Sequence, residues 1–170
     1  MERDLSDLLG KRIIVLRGAI DDDVANVVIA KLLFLQSQGS AAPVQLHMSS
    51  PGGAVAAALA IRDTIDDLEV PVYTHGLGHV QGVAALVLAH GARRHRTMAR
   101  HARVTFIPIT SAGGVPAAPS ELARTETIVT QMIAADTQQS IEQVESDLRA
   151  SRSFDAEQAR AYGLIDNIVG

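Results

Sequence analysis

The sequence predicts a single α/β domain built on parallel strands joined by helical crossovers. Three observations predict it. Strand-like and helix-like segments alternate from Arg12 to Gly91 in the order β-α-β-α-β-α, the pattern that parallel sheets require. The passages from strand to helix are marked by glycines or aspartates, at Gly18–Asp23, Ser49–Gly53 and Gly76–Gly82. The residues are 47% hydrophobic but only 3% aromatic, so the core must be aliphatic and alanine-rich, with elements in close contact. A chain of 170 residues suits one domain with a substantial core. No internal repeat is visible.

Taken in order, Asp4–Leu9 reads as a short amphipathic helix ended by Gly10. Arg12–Leu16 is an apolar strand with its exit at Gly18. Asp21, Asp22 and Asp23 then cap and charge the start of a helix, which suits the helix dipole. Val24, Val27, Val28, Leu32 and Leu35 follow at helical spacing. Gln38–Pro43 breaks it. Val44–Met48 alternates as a strand does, Ser49–Gly53 turns sharply, and a helix is expected from about Ala54 to Leu68. Pro71–Thr74 is a third strand, followed by a glycine turn and an aliphatic helix over Val80–Ala89. Short strands are expected at Arg93–Thr97 and Arg103–Ile107, and an irregular loop at Ser111–Ser120. A long helix follows at Glu121–Thr137, either projecting from the core or bridging subunits. Ser140 and Gln143 have capping-box spacing. A last helix, Asp155–Tyr162, closes at Gly163 before a terminal strand, Leu164–Val169.

Composition excludes several classes of function. Net charge is −4 and no basic block is long enough to suggest nucleic acid. The local cluster Arg93, Arg94, Arg96, Arg100 and Arg103 reads as a solvated face or a subunit contact. With no cysteine, disulfides, thiolate chemistry and cysteine metal sites are ruled out. No apolar run approaches the roughly 20 residues of a membrane helix. The charged N-terminus lacks a signal-peptide core, so a cytoplasmic location is expected. No cofactor is called for by any motif.

The segment Gly76–Gly91 carries the most chemistry. A strand, a glycine turn and a tightly packed helix aim backbone N–H groups and one turn residue at a cleft, an arrangement in which many hydrolases hold a nucleophile. Here the turn residue is Gly82, which has no atom able to attack. Ser49 and Ser50 suit a role in shaping the Pro-Gly-Gly turn, because no base is placed beside them; Ser111 is a weak candidate in a loop. The six histidines all fall between His47 and His101. A metal cluster of His47, His75 and His79 lacks both HExxH-type spacing and interleaved carboxylates. His79, close to Gly82, is the histidine of most interest.

Three stretches together carry a family likeness: LLGKRIIVLRGAIDDDVANVVIAKLLFLQ near the start, SSPGGAVAAALAIRDTI in the middle and AYGLIDNIV at the end. They resemble the proteolytic subunit of the ATP-dependent Clp protease (ClpP), a crotonase-like fold, from about Asp4 to Val169. The resemblance implies a superhelical core of repeated β-β-α and βαβ units, with a head at about 10–106 and 139–170 and a shortened handle helix at about 107–138. Members are serine peptidases with a Ser-His-Asp triad. Carried over by motif, the serine position is Gly82, in Gly78-His79-Val80-Gln81-Gly82-Val83. The histidine position is Ile107, after His101-Ala102-Arg103-Val104-Thr105-Phe106. The aspartate position, counted back from Tyr162, is Ser151. The backbone N–H groups of Gly53 and Val83 would still form the oxyanion hole, which needs no side chain.

The resemblance therefore implies a ClpR-type paralogue without a triad. It would act as a structural or regulatory part of a ring assembly, with no direct peptide hydrolysis. Implied partners are further copies of the chain in a heptameric ring, an active ClpP paralogue and a Clp ATPase. Arg149-Ala150-Ser151 replaces the family's Glu-Arg-Asp run, so Arg149 reverses a charge used in ring-to-ring pairing. The family's axial loops would lie before Met1. Two other readings stay open: a non-protease enzyme of crotonase-like fold working through a backbone oxyanion hole, and a decoy that binds a small molecule or peptide.

Overall fold

In the computed structural model, which describes residues 7–109 and 118–170, the three β-α passages gather at the C-terminal ends of neighbouring parallel strands. The strands are β1 (Ile13–Arg17), β2 (Val44–Ser50), β3 (Val72–Gln81), β4 (Arg96–Ala99), β5 (Arg103–Thr105), β6 (Ser153–Phe154) and β7 (Asn167–Val169). Their spatial order is β1-β2-β3-β4-β7, with β5 joining the far end of β3 and β6 pairing with β5. All pairs are parallel except β5–β6. The helices are α1 (Asp22–Ser37), α2 (Val55–Asp67), α3 (Val83–Ala89), α4 (Pro119–Thr137), α5 (Ile141–Arg149) and α6 (Ala156–Tyr162). The expected mixed α/β fold is the one observed.

Alternation sorts the sheet into two faces. On β2, Val44, Leu46, Met48 and Ser50 are buried while Gln45, His47 and Ser49 face away. On the helix side every residue of α3 is buried, and each such Val or Leu contributes about 1.5–3 kcal/mol relative to exposure. The alanines of α2 and α3 allow the close helix contacts that the composition demanded. One small aromatic group departs from that aliphatic rule. Phe106, Phe154 and Tyr162 pack with centroids 4.8–5.9 Å apart, and the Arg152 guanidinium lies 4.8 Å over Phe154. They brace the strand that leads into Ile107.

Several boundaries differ from expectation for identifiable reasons. The expected turn at Gly76–Gly78 is strand: β3 runs on to Gln81, and the helix starts at Val83 rather than Val80. Gly76 sits beneath Met98, Val80 and Leu88 with only 3.3–3.4 Å for an added Cβ, and Gly78 takes φ 57. The strand bends there, leaves β4 after Gly76 and pairs with β5 from His79. The other expected strands shift as well: Arg93–Thr97 becomes Arg96–Ala99, Arg103–Ile107 stops at Thr105, and Leu164–Val169 shortens to Asn167–Val169 because Leu164 and Ile165 are core residues. The expected loop Ser111–Ser120 falls largely outside the described residues; Pro119 and Ser120 open α4, a position that proline suits. Of the expected first helix, only residues 7–9 are described, and they are helical, as is Gly10.

Helix α4 is docked by its C-terminal half alone. Val129, Thr130, Ile133, Ala134 and Thr137 are buried, and none of residues 119–128 is. The docked end is tied to α2 by a buried ion pair, Arg62 with Asp136, while His90 lies between Asp136 (3.5 Å) and Asp66 (2.8 Å).

Arg96 departs from the expectation that the arginine cluster is a solvated face or a subunit contact, whereas Arg93, Arg94, Arg100 and Arg103 are exposed. Arg96 is 3% exposed. Its Nε and Nη2 donate to Asp166 at 3.0 and 2.7 Å, and its Nη1 donates to the carbonyls of Ala89, Asp136 and Gly163. The side chain thus joins α3, α4, α6 and the start of β7.

Burial raises the carboxyls of Asp136, Asp147 and Asp166, but hydrogen bonds and cations outweigh it and hold all three below the ordinary value. His90 and Arg62 act on Asp136, Gln143, Tyr162 and Arg152 on Asp147, and Arg96 on Asp166. A depressed carboxyl contributes stability that is complete above its unfolded value, near 4, and is lost as pH falls through the folded value. Denaturant midpoints measured from pH 7 to pH 3 are therefore expected to hold until about pH 4 and then fall steeply. Arg96→Met, which removes the cation beside Asp166, should make the fall shallower.

Candidate active-site cleft

The turn Ser49–Gly53 owes its shape to Ser50 and two glycines. The Ser50 hydroxyl, 1% exposed, accepts from the Gly52 N–H at 3.1 Å and donates to the Gly52 carbonyl at 3.3 Å, so it is committed to the turn. Gly53, at φ 153, lies against Ile20, whose N–H donates to Gly52 O and whose carbonyl accepts from the Ala54 N–H, both at 2.8 Å. In this parallel bridge the amide of Gly53 faces the opposite side. Gly52 presses on the end of β3, with the Gln81 carbonyl 3.0 Å from where its Cβ would be.

At that end of β3, Gly82 takes φ 52 and ψ −128. This is the sharp strand-to-helix conformation that exposes a nucleophile in hydrolases of elbow type. Its N–H donates to Thr105 O at 2.9 Å, which ties the turn to β5. The chain continues from β5 through the buried Phe106 to Ile107. A Cβ added at Gly82 would sit 3.6 Å from both Cβ and Cδ1 of Ile107.

Gly53, Gly82, Val83 and Ile107 line one cleft of ≈ 150 Å³, walled further by Pro51 and Ile109. Among the described residues, neither the Gly53 amide nor the Val83 amide has an acceptor. The cleft therefore offers two N–H donors, hydrocarbon walls and, among its lining residues, no hydroxyl, imidazole or carboxylate. Such a surface can hold a carbonyl oxygen; proton transfer would have to be supplied from elsewhere.

The other candidates lie apart from it. Ser151 is exposed, at φ 51, and is not among the lining residues. It does precede Arg152, whose carbonyl accepts the Phe106 N–H, so its backbone runs beside the strand leading to Ile107. His79 is exposed and lies in register with Arg103 on β5, outside the cleft. His47 and His75 face each other across β2 and β3, away from His79. Among the described residues no three His, Cys, Asp or Glu side chains form a group able to hold a metal ion. Ser111 lies outside the described residues. Arg149 pairs with Glu145 on its own helix.

A sequence model of the Clp protease family matches residues 1–170, the whole length of the chain. The chain belongs to the Clp protease family. As a Clp protease-type subunit it comes from a family whose members assemble into oligomeric rings, and its mixed α/β fold is that of the family. Among the described residues no helix is long and apolar enough to cross a membrane.

Proposed function

We propose that this Clp protease-type subunit does not hydrolyse peptides and works as a structural or regulatory member of a Clp-type ring. The observation that carries this reading is the pairing of Gly82 with Ile107. The backbone at Gly82 keeps the nucleophile-bearing bend, yet the residue there has no side chain, and hydrocarbon occupies the adjacent position where a base would stand. Ser151, at the position of the third member, has no carboxylate with which to orient a base. The ring partners are further copies of the chain, an active paralogue and a Clp ATPase, in the cytoplasm.

Gly82→Ser alone is expected to remain without activity on a fluorogenic peptide. It is also expected to cost about 1–3 kcal/mol, since a side chain must then adopt φ near +50°; a urea midpoint reads that loss. The triple variant Gly82→Ser, Ile107→His, Ser151→Asp is the one in which hydrolysis should appear. Native mass spectrometry should find a heptamer, and mixing with an active paralogue should give mixed rings. Turnover of peptides by the purified unmodified chain would overturn the proposal.

The unengaged amides of Gly53 and Val83 support a second reading, a non-protease enzyme of the same fold that stabilises an oxyanion through backbone alone. Turnover of an acyl thioester, abolished by a blocking side chain at Val83, would favour it over the first.

A further inference from the structure

The face of the sheet turned away from the helices carries a second cleft, of ≈ 400 Å³, lined by His47 on β2, Tyr73 and His75 on β3, Thr97 on β4, and Arg94 and His95 just before β4. No aspartate or glutamate lines it, although the chain as a whole carries a net charge of −4. Among the described residues the Arg94 guanidinium has no acidic partner, while the Arg94 carbonyl accepts from Asn167 Nδ2 at 3.1 Å, which pins this turn to β7. His95 is stacked on Tyr73 with centroids 3.9 Å apart and planes within 5°. The cationic end of the cleft is therefore held in place from both sides.

The hydrogen bonds assign the proton on each of the two inner rings. The Thr97 hydroxyl donates to Thr74 O at 3.1 Å, so toward His75 it can only accept. His75 Nδ1, at 2.8 Å, is then the N–H, and Nε2 carries a free lone pair. His47 Nε2 lies 3.3 Å from the Gln45 side-chain oxygen and is likewise the N–H, which leaves Nδ1 free. The ring centroids are 5.0 Å apart. Each ring thus has one committed donor and one nitrogen that becomes a donor on taking up a proton.

We propose that this cleft binds a compact oxyanion, of the carboxylate or phosphate class, held by Arg94 and by protons that His47 and His75 take up as it binds. Burial lowers the pKa of both histidines, and the charge of His47 lowers that of His75 further, so the empty cleft keeps them neutral at pH 7. An anion between the rings and Arg94 supplies the charge that offsets both effects. The two rings face each other, and the other titratable or charged residues lining the cleft are Tyr73, Arg94 and His95. Val15, the register neighbour of His47 on β1, is uncharged. The inference is independent of the Gly82 cleft and survives or fails separately from the proposed function.

The test is calorimetric titration of the full chain with inorganic phosphate and, separately, with succinate, at pH 7.5 and pH 6.0 and constant ionic strength. Each titration is run in two buffers of different ionisation heat. At least one anion should bind, more tightly at pH 6.0 by up to about tenfold per pH unit for each proton taken up. The buffer dependence should report net proton uptake. Arg94→Gln should weaken binding by about tenfold or more, and His47→Gln with His75→Gln should remove the pH dependence. If the double variant does not fold, His47→Gln alone, which leaves the His75–Thr97 bond intact, should roughly halve the proton uptake. Absence of binding by both anions at pH 6.0, affinity unchanged in Arg94→Gln, or heat independent of buffer would each overturn the proposal.

Discussion

Arg96→Met is expected to destabilise the protein by about 3–5 kcal/mol, the cost typical of breaking a buried ion pair from one side. The substitution removes both bonds to Asp166 and the donors to three carbonyls, on Ala89, Asp136 and Gly163. Asp166 keeps its backbone donors, the Arg96 N–H at 3.0 Å and that of Arg94, but is left as a partly buried charge without a cation. Methionine fills much of the volume but donates nothing. Lysine should recover little, because one ammonium cannot span a carboxylate and three carbonyls on separate elements. Denaturant unfolding gives the magnitude. Hydrogen exchange locates it, with the earliest loss of protection expected at the C-terminal turn of α4 and around β7. A loss below about 1 kcal/mol would mean that these contacts are readily replaced by water.

Gly53→Ala is expected to cost at least about 3 kcal/mol and to deform the cleft. The added Cβ would lie 2.2 Å from Ile20 O and 2.6 Å from Ile20 N, both of them backbone atoms already engaged in the bridge. Relief requires separating the turn from Ile20, which loses two hydrogen bonds and moves the Gly53 amide. Effects of this size arise where a special backbone position and close packing coincide. Gly18→Ala is the useful control: φ is 82 but nothing lies within 4 Å of its Cβ, so only the backbone term, about 1–2 kcal/mol, should appear. Equal losses in the two variants would show that contact with Ile20 contributes little.

The sequence discloses local features better than shared ones. The Asp21 cap is present as expected, its carboxylate accepting from the Val24 N–H at 2.8 Å. At Ser140 only half of the expected capping box forms. Its hydroxyl accepts from the Gln143 N–H, but the Gln143 amide turns to Asp147 at 2.9 Å instead. A complete box stands at Asp155 and Gln158, whose three-residue spacing carried the same signal. The vacancy at Gly82 was legible because a β-α turn marks itself with glycines. That Ile107 packs beside it followed only from the family resemblance, since nothing local to Ile107 points to Gly82. The second cleft is half legible: His47 and His75 stand out as neighbouring-strand histidines, but Arg94 reads only as one of a basic cluster, and nothing local marks His95 or Tyr73 as their neighbours.

What the sequence determined unaided is what neighbouring residues decide between them: the capped helix starts at Asp21, Ser140 and Asp155, the parallel β-α order, the alternating faces of β2, and the missing side chain at position 82. What only the tertiary structure decided is what distant segments impose on each other. The change of partner along β3 depends on Gly76 fitting under Met98 and Leu88. The burial of Arg96 depends on Asp166, seventy positions away. The two clefts depend on which loops the sheet brings side by side. The reason is physical: a cap or an alternation is satisfied within a few residues, whereas a buried cation or a kinked strand is stable only when remote groups arrive to satisfy it.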